Sequence, residues 1–388
     1  MECQARMAEE YKGFEVGPIR PPSEADSLLI RVTRNCPWNK CRFCALYKGK
    51  KFSLRPKEHI IEDLNMLHQY ITVLQGAQEQ SDNEEQAALK SLKTNMGTKG
   101  EWAYYQALNW MQNGMKSIFL QDANSLIIKP NDMIAILQHI RRLFPQVERI
   151  TSYSRSHTIA RIADADLEQM AKAGLNRIHI GMESASDEIL KLVKKGADKS
   201  AHILAGQKVK RAGMELSEYY MPGLGGMEYS EQNALETADA LNQINPDFIR
   251  IRTLALPDQT ELAEDYRNGT FTRTNDAVMA RELLIMIKHL YGINSVVKSD
   301  HILNLLEEVE GQLPGDKNKM IKVLQWYLDL SRDEQVLFSV GRRTGIMNAT
   351  KDLENPVRRQ RVQQTMAQHH ITNENADRMI DELMKRFI

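Results

Sequence analysis

The sequence predicts an α/β fold with a parallel sheet, followed by an α-helical C-terminal region. Over residues 27–256, short apolar runs rich in β-branched residues alternate with helical patterns. Parallel strands need such helical crossovers, so the alternation favours one parallel sheet. After residue 256 the pattern is helical. With 388 residues, the chain can bury a sizeable core without a disulfide scaffold.

Six strands are predicted in the core, because six apolar runs are too short for buried helices. They span Ser27–Val32, Ser117–Leu120, Arg149–Tyr153, Arg177–Ile180, Met214–Met221 and Phe248–Leu254. Seven helices are predicted between them, several ended by a glycine that accepts the left-handed conformation. They span Arg55–Leu74, Glu101–Asn113, Asn131–Phe144, Asp164–Ala173, Ser186–Lys194, Ala201–Ala212 and Ser230–Gln243.

Beyond the core, helices are predicted near 275–291, 316–330, 356–368 and 373–387, with no strand between them. The chain is thereby divided into an N-terminal extension over 1–26, an α/β core over 27–256 and a helical region over 257–388. A polar stretch over 75–100 has no strand pattern and is predicted to be an insertion in the core.

Charge and hydropathy exclude several classes of protein. Lys+Arg and Asp+Glu each number 51, so the formal net charge is zero, which argues against a large basic face for nucleic acid. No apolar run reaches the roughly 18 residues of a transmembrane helix. The polar N-terminus has no apolar signal-peptide region. We therefore expect a cytoplasmic protein with no membrane partner.

The cysteines carry the strongest chemical signal. Cys36, Cys41 and Cys44 form a C-x4-C-x2-C motif directly after the first predicted strand, and Cys3 is the remaining cysteine. Such clustering in a reducing compartment indicates metal or redox chemistry rather than disulfides. An iron–sulfur cluster or a zinc ion would hold the thiolates together. A fourth protein ligand would have to be Cys3 or a histidine such as His59. Three ligands alone leave one iron open.

The segment RNCPWNKCRFC over 34–44 resembles the cluster loop of the radical S-adenosylmethionine (radical SAM) superfamily. The usual spacing there is C-x3-C-x2-C, so this chain has one extra residue, while Phe43 matches the aromatic residue before the last cysteine. The similarity is greatest to the branch of oxygen-independent coproporphyrinogen oxidases and the Elongator catalytic subunit. LQDANSL, GMES, SEYYMPGLGG and SDHILNLLEEVEG match a bacterial and archaeal group within it.

This resemblance implies a partial (β/α)6 barrel and a defined chemistry. Cys36, Cys41 and Cys44 would bind three irons of a [4Fe–4S] cluster, and S-adenosylmethionine would chelate the fourth. Reduction would then cleave S-adenosylmethionine to a 5′-deoxyadenosyl radical, which abstracts hydrogen from a substrate. Flavodoxin or ferredoxin is the expected reductant.

Polar residues at the predicted strand ends supply candidates for binding the cofactor, because sites in parallel sheets lie beyond the carboxyl ends of the strands. The resemblance places Glu183 at the cofactor ribose and matches Lys195 to an arginine that pairs with its carboxylate. Alternatively, Asp122 and Glu183 cap helices and Lys195 is a solvated helix-end residue. The full set of cofactor-binding candidates is Phe43, Gln121, Asp122, Ser154, Glu183, Lys195, Glu218 and Gly223.

Residues at other strand ends are candidates for the substrate site. Arg250 and Arg252 lie on one face of the sixth strand. Facing the interior they would bind an anion, whereas facing the helices they would form salt bridges at the rim. Tyr153 and His157 near the third strand complete the catalytic set. His301 is expected to begin a helix capped by the preceding Ser-Asp pair.

Three functions follow from these observations. The first is a radical SAM enzyme acting on a small-molecule substrate, which the two arginines suggest is anionic, with nucleic acid not expected as a partner. The second is a radical SAM enzyme that modifies tRNA or another nucleic acid. The third is a non-catalytic iron–sulfur or zinc protein, which would require a fourth protein ligand such as Cys3.

Overall fold

The computed structural model describes residues 9–77 and 97–387, together with residues 87, 90–92 and 94. All structural statements refer to these residues. Cys3 and most of the predicted insertion over 75–100 lie outside them. Residues 75–77 complete the first helix, and a short 3₁₀ turn occupies Gly97–Gly100.

Ten strands form two sheets. Their bounds are β1 Leu28–Arg31, β2 Thr33–Arg34, β3 Ser53–Leu54, β4 Ser117–Gln121, β5 Arg149–Tyr153, β6 Arg177–Glu183, β7 Glu215–Tyr220, β8 Phe248–Ile251, β9 Val296–Lys298 and β10 Gly311–Gln312. The large sheet has the order β1-β4-β5-β6-β7-β8-β9-β10, and β2 pairs with β3 separately. Every neighbouring pair from β1 to β9 is parallel, and β10 is antiparallel to β9.

Helices connect the parallel strands and form the C-terminal region. Their bounds are α1 Lys57–Ala77, α2 Glu101–Gln112, α3 Pro130–Leu143, α4 Ser156–Ile159, α5 Asp164–Lys172, α6 Asp187–Leu192, α7 Lys199–Arg211, α8 Ser230–Ile244, α9 Glu261–Arg267, α10 Asp276–His289, α11 Lys317–Asp329, α12 Arg332–Arg343, α13 Pro356–Gln368 and α14 Ala376–Met384. The sequential strand order and the helical crossovers confirm the predicted α/β class with C-terminal helices.

The core lies between the sheet and its helices. All five residues of β4 are buried, as expected for a strand covered on both faces. Trp110 of α2 is fully buried, donates its indole N–H to the Ser117 carbonyl at 2.8 Å, and meets the Phe144 ring edge-on. Because the strands from β1 to β9 are parallel, their carboxyl ends lie at one edge of the sheet.

The N-terminal extension packs against the sheet. The Gly17 backbone N–H donates to the Gln121 side chain at 2.8 Å. Glu15 pairs with Arg34 at 2.6 Å and with Arg55 at 3.2 Å. Glu24 is buried, and its carboxylate lies 3.4 Å from His179 on β6. The described part of the extension is therefore held against β4, β6 and the segment around β2 and β3.

The prediction of no strand after residue 256 is wrong. β9 and β10 lie beyond it, and β9 continues the parallel sheet by pairing with β8. Three residues are too few to show a strand period, so pairing partners define β9. Helices α9 and α12 were also not predicted. The other four predicted C-terminal helices are present as α10, α11, α13 and α14.

A second expectation also fails. No helix begins at His301, and residues 299–310 form turns and irregular backbone between β9 and β10. No helix in the described part of the chain is long and apolar enough to cross a membrane.

Candidate active site

A cavity of about 420 Å³ lies at the carboxyl ends of the parallel strands. Cys36, Cys41 and Cys44 line it, as predicted from their position after the first strand. The other predicted site residues that line it are Phe43, Tyr153, Ser154, Glu183, Lys195 and Arg252. Residues from β1, β5, β6 and β8 and the loops after them thus meet around one space.

The buried carboxylate of Asp122, which follows β4, holds the cysteine loop in position through hydrogen bonds. Arg31 at the end of β1 donates to this carboxylate at 2.9 Å. The Asn35 backbone N–H donates to it at 3.2 Å, and the Tyr47 hydroxyl donates from the far end of the loop. Both ends of the cysteine loop are therefore fastened to one fully buried group.

The tip of the loop docks on the connection between α6 and α7. Trp38 donates its indole N–H to the Lys194 carbonyl at 2.7 Å. The Arg155 guanidinium stacks on the Trp38 ring at 5.1 Å and donates to the Lys195 carbonyl at 2.7 Å. Gly196 has a φ of 71°, and a Cβ there would lie 2.5 Å from the indole. Trp38 lies between Cys36 and Cys41, where this chain has its extra residue, and packs this part of the loop onto the connection between α6 and α7.

The thiols suit a cluster with three protein ligands. All three are free, half-buried and exposed to the same cavity. Burial raises the pKa of the Cys41 thiol, while the charges of Lys195 and Arg155 act in the opposite direction. In the described part of the chain, no three His, Cys, Asp or Glu side chains are arranged around one point as ligands of a single ion. Three thiolates facing open space match three irons of a [4Fe–4S] cluster.

Glu183 and Lys195 form an ion pair across the cavity wall, with 3.1 Å between Oε1 and Nζ. Glu183 follows an irregularity in the pairing of β6 with β7 and has a φ of 68°. A non-glycine residue held in this region costs of order 1–3 kcal/mol and often marks a functional position. A Cβ at Gly181 would lie 2.3 Å from Glu183 Oε1, so glycine leaves room for the carboxylate.

Arg250 and Arg252 face the interior, as one of the two alternatives predicted, and share Asp300. Arg250 donates to one oxygen of Asp300, and Arg252 donates to the other at 2.9 Å. Arg250 also donates to the Ser217 hydroxyl at 3.1 Å. Of the two arginines, Arg252 lines the cavity, and its guanidinium lies 4.8 Å from the Tyr219 ring centroid.

Six predicted site residues do not line the cavity, and Arg250 of β8 is one of them. Gln121 bonds to the N-terminal extension, and Asp122 is occupied by the cysteine loop. His157 is half-buried on α4, away from the cavity lining. Glu218 is buried, neither of its carboxylate oxygens has a hydrogen-bond partner among the described residues, and burial raises its pKa well above the usual range. Gly223 packs against Thr274 and Met279 of the C-terminal region.

Glu282 of α10, missed at the sequence level, fixes the glycine-rich loop after β7. Its buried carboxylate accepts from the Tyr220 hydroxyl at 2.7 Å and the Gly223 N–H at 3.1 Å. The Asn233 amide donates to it at 2.7 Å. No sequence signal marks Glu282, because a single acidic residue in a helix is normally solvated.

Two histidines in the cavity lining were also missed. His202 of α7 is buried, and its Nδ1 lies 2.6 Å from the Ser156 hydroxyl. Burial, with a smaller effect of Lys195, lowers the pKa of His202 to about 3. His301 lies beside Arg252, where burial and then the Arg252 charge lower its pKa to about 4. Both rings are therefore neutral near pH 7.

Comparison with known proteins identifies the superfamily of the chain. Residues 30–238, more than half of the chain, match the radical SAM superfamily, so the chain belongs to that superfamily. The predicted superfamily is thus confirmed, and the protein is an enzyme whose cofactors are a [4Fe–4S] cluster and S-adenosylmethionine. Cys36, Cys41 and Cys44 are the residues that would hold the cluster.

Within the superfamily, the chain is similar to a tRNA uridine(34) acetyltransferase of Methanocaldococcus infernus, with 31% identity over 110 residues. This covers 28% of the chain and 21% of the relative. The corresponding enzyme of Methanocaldococcus jannaschii is 29% identical over the same length, covering 28% of the chain and 20% of the relative. The match thus spans about a fifth of the length of these curated relatives.

Among solved structures, methylornithine synthase (PylB) is similar at 14% identity with a TM-score of 0.43. The match covers 71% of this chain and 66% of that one. The archaeal Elp3 of Methanocaldococcus infernus is similar at 18% identity with a TM-score of 0.40, covering 51% and 53%.

Replacing Cys36, Cys41 or Cys44 by alanine should abolish cluster binding, because each thiol would hold one iron. Iron and sulfide analysis after anaerobic reconstitution should find about four irons per wild-type chain and background values in each variant. The control is Cys3→Ala, which should keep the full iron content. Loss of iron in that variant would show a fourth protein ligand.

Buried His202 should make the protein sensitive to acid. Its folded-state pKa of about 3 lies below the ordinary value of 6.5, so the unfolded chain binds more protons between these values. Stability is therefore complete above pH 6.5 and falls as the pH drops towards 3. The unfolding free energy of both proteins should fall between about pH 7 and about pH 4.5. The fall should be about 2–3 kcal/mol smaller for His202→Gln than for the wild type.

Urea unfolding at the two pH values measures this difference, and the exposed His369→Gln variant is the matched control. An equal acid-induced loss in wild type and His202→Gln would contradict a neutral buried imidazole.

Proposed function

We propose that this enzyme uses S-adenosylmethionine bound beside the three cysteines to abstract a hydrogen atom from a small-molecule substrate. The observation that carries the proposal is the cavity itself. The cysteine thiols, the Glu183–Lys195 pair and Arg252 all line one space of about 420 Å³. This volume lies within the range of small-molecule sites.

The chain's own groups divide this space into two parts. On the cysteine side, Glu183 would accept hydrogen bonds from the two ribose hydroxyls of the cofactor, and Lys195 would pair with its carboxylate. Phe43 and Ser154 would line the same part. When bound and reduced, the cofactors supply the 5′-deoxyadenosyl radical. The second part would be formed by Arg252 and Tyr153, which also line the cavity and would bind and orient the substrate.

The roles proposed for Gln121 and Asp122 change with the structure. Their side chains are used by the N-terminal extension and the cysteine loop, so they would position the cluster rather than touch the cofactor. A flavodoxin or ferredoxin would supply the electron to the cluster side of the cavity.

Anaerobically reconstituted protein, incubated with S-adenosylmethionine and dithionite, should release 5′-deoxyadenosine and methionine. Glu183→Gln should raise the KM for S-adenosylmethionine about tenfold, because a charged hydrogen-bond acceptor is lost. The matched control is Glu168→Gln on the exposed face of α5, far from the cavity lining. Chromatography of both products checks the result, and no cleavage by a fully loaded cluster would reject the proposal.

A second candidate function is radical-based modification of tRNA, favoured by the similarity to the two archaeal tRNA uridine(34) acetyltransferases. The net charge of zero opposes a large RNA face, but the cysteine loop carries a local basic patch. Lys40, Lys50 and Lys51 are exposed there. A tRNA could contact this patch next to the cavity.

If tRNA is the substrate, filter binding should give a micromolar affinity for bulk tRNA that falls steeply with salt. Reversing two charges with Lys50→Glu and Lys51→Glu should weaken binding about tenfold. The same reversal at the exposed Lys322 and Lys351 is the control. Absence of salt-sensitive binding, or equal losses in the two double variants, would leave the small-molecule function.

A further inference from the structure

The cavity wall after β8 carries one positive charge that no carboxylate in the described part of the chain neutralises. Arg250 and Arg252 share the single carboxylate of Asp300. Although burial alone would raise the pKa of Asp300, Arg252 and Arg250 hold it below its usual value, so this group is ionised. Two guanidinium groups and one carboxylate leave a net charge of +1.

The unsatisfied charge faces the cavity through Arg252. Its Nη1 donates to Asp300 and to the Ile251 carbonyl at 2.8 Å. Its Nη2 is buried and has no hydrogen-bond partner among the described residues, although the side chain is 12% exposed. A buried N–H of a cation without an acceptor is costly, and a ligand oxygen would satisfy it.

A second donor lies on the same wall. His301 also lines the cavity, and its Nδ1 accepts from the Leu303 backbone N–H at 3.4 Å. The neutral ring therefore carries its proton on Nε2, and no hydrogen bond in the described part of the chain uses that atom. Arg252 Nη2 and His301 Nε2 are both donors, and neither side chain offers an acceptor there.

The surroundings of these donors are aromatic. Tyr153 and Tyr219 line the cavity, with their ring centroids 5.9 Å apart. Phe119 and His179 pack behind them, at 5.4 Å from the Tyr153 ring. The Arg252 guanidinium lies 4.8 Å from the centroid of the Tyr219 ring. A ligand at this wall therefore meets two polar donors next to an aromatic, mostly apolar surface.

We propose that the substrate is a monocarboxylate, whose carboxylate oxygens accept from Arg252 Nη2 and His301 Nε2 while its apolar part lies on Tyr153 and Tyr219. One net positive charge matches one carboxylate, whereas a dianionic phosphate would leave a negative charge uncompensated in a half-buried wall. Asp300 acts as a positioning residue, because it fixes Arg252 without touching the substrate. This inference rests on the proposed small-molecule function, since it assigns the chemical class of that substrate.

Ligand-observed NMR on the reconstituted protein, under anaerobic conditions with S-adenosylmethionine and no reductant, tests this class. The probes are benzoate, phenylacetate and hexanoate, with benzamide, hexanamide and phenyl phosphate as neutral and dianionic counterparts. The carboxylates should bind at concentrations of up to about 10 mM and compete with one another. Each amide, and phenyl phosphate, should bind more weakly than the carboxylate that carries the same apolar group.

Arg252→Gln should weaken carboxylate binding about tenfold and weaken amide binding less, because an amide oxygen accepts the same hydrogen bond but carries no charge. Arg252→Lys should retain part of the affinity, because the charge remains. His301→Phe, which keeps the ring volume but removes the N–H, is a second, independent variant. The exposed Arg161→Gln is the matched control for loss of one arginine and should bind like wild type.

Three results would overturn the assignment. The first is that no carboxylate binds to the wild type. The second is that the wild type, Arg252→Gln and His301→Phe all bind carboxylates with equal affinity. The third is that phenyl phosphate binds better than the carboxylates. Cleavage of S-adenosylmethionine by the wild type is measured separately. If carboxylates bind in an Arg252-dependent way but S-adenosylmethionine is not cleaved, the result counts against the proposed function. If S-adenosylmethionine is cleaved but carboxylate binding does not depend on Arg252, the result counts against this inference alone.

Discussion

The active site depends on one buried carboxylate, that of Asp122. A fully buried charge is expensive unless it is paired and hydrogen-bonded, and here Arg31, the Asn35 N–H and the Tyr47 hydroxyl supply those partners. Because Asn35 and Tyr47 lie on either side of the three cysteines, satisfying one carboxylate sets the position of the whole loop. Removal of any of these donors would leave the buried carboxylate of Asp122 without one of its hydrogen-bond partners.

Charge balance organises the rest of the cavity. Glu183 and Lys195 neutralise each other on the cysteine side, and the buried histidines remain uncharged. On the β8 side, Asp300 neutralises half of the charge of Arg250 and Arg252. The charge that remains on Arg252 is therefore available to a bound molecule. In a site of low dielectric constant, such charges orient ligands strongly.

Most of the α/β core could be predicted from the sequence, because long helices and strands of four or more residues show their own pattern. The six core strands and the cysteine position after the first of them were predicted in this way. β9 and β10 were not, because strands of two or three residues are stabilised by their neighbours rather than by a local pattern. The loop around His301 was missed for a related reason, since Asp300 forms ion pairs instead of capping a helix.

By itself, the sequence determined the chemistry of the site: three thiols on one loop, a radical SAM superfamily match and polar residues at strand ends. These are local features, readable from spacing. Only the tertiary structure decided which of those polar residues reach the cavity, since that depends on partners distant in the chain. Asp122 pairs with Arg31 and Tyr47, and Arg252 keeps an N–H without a partner among the described residues. Glu282 accepts hydrogen bonds from the loop after β7, although its helix lies about 60 residues away in the chain. Pairing of buried charges across the fold, rather than sequence spacing, assigned these roles.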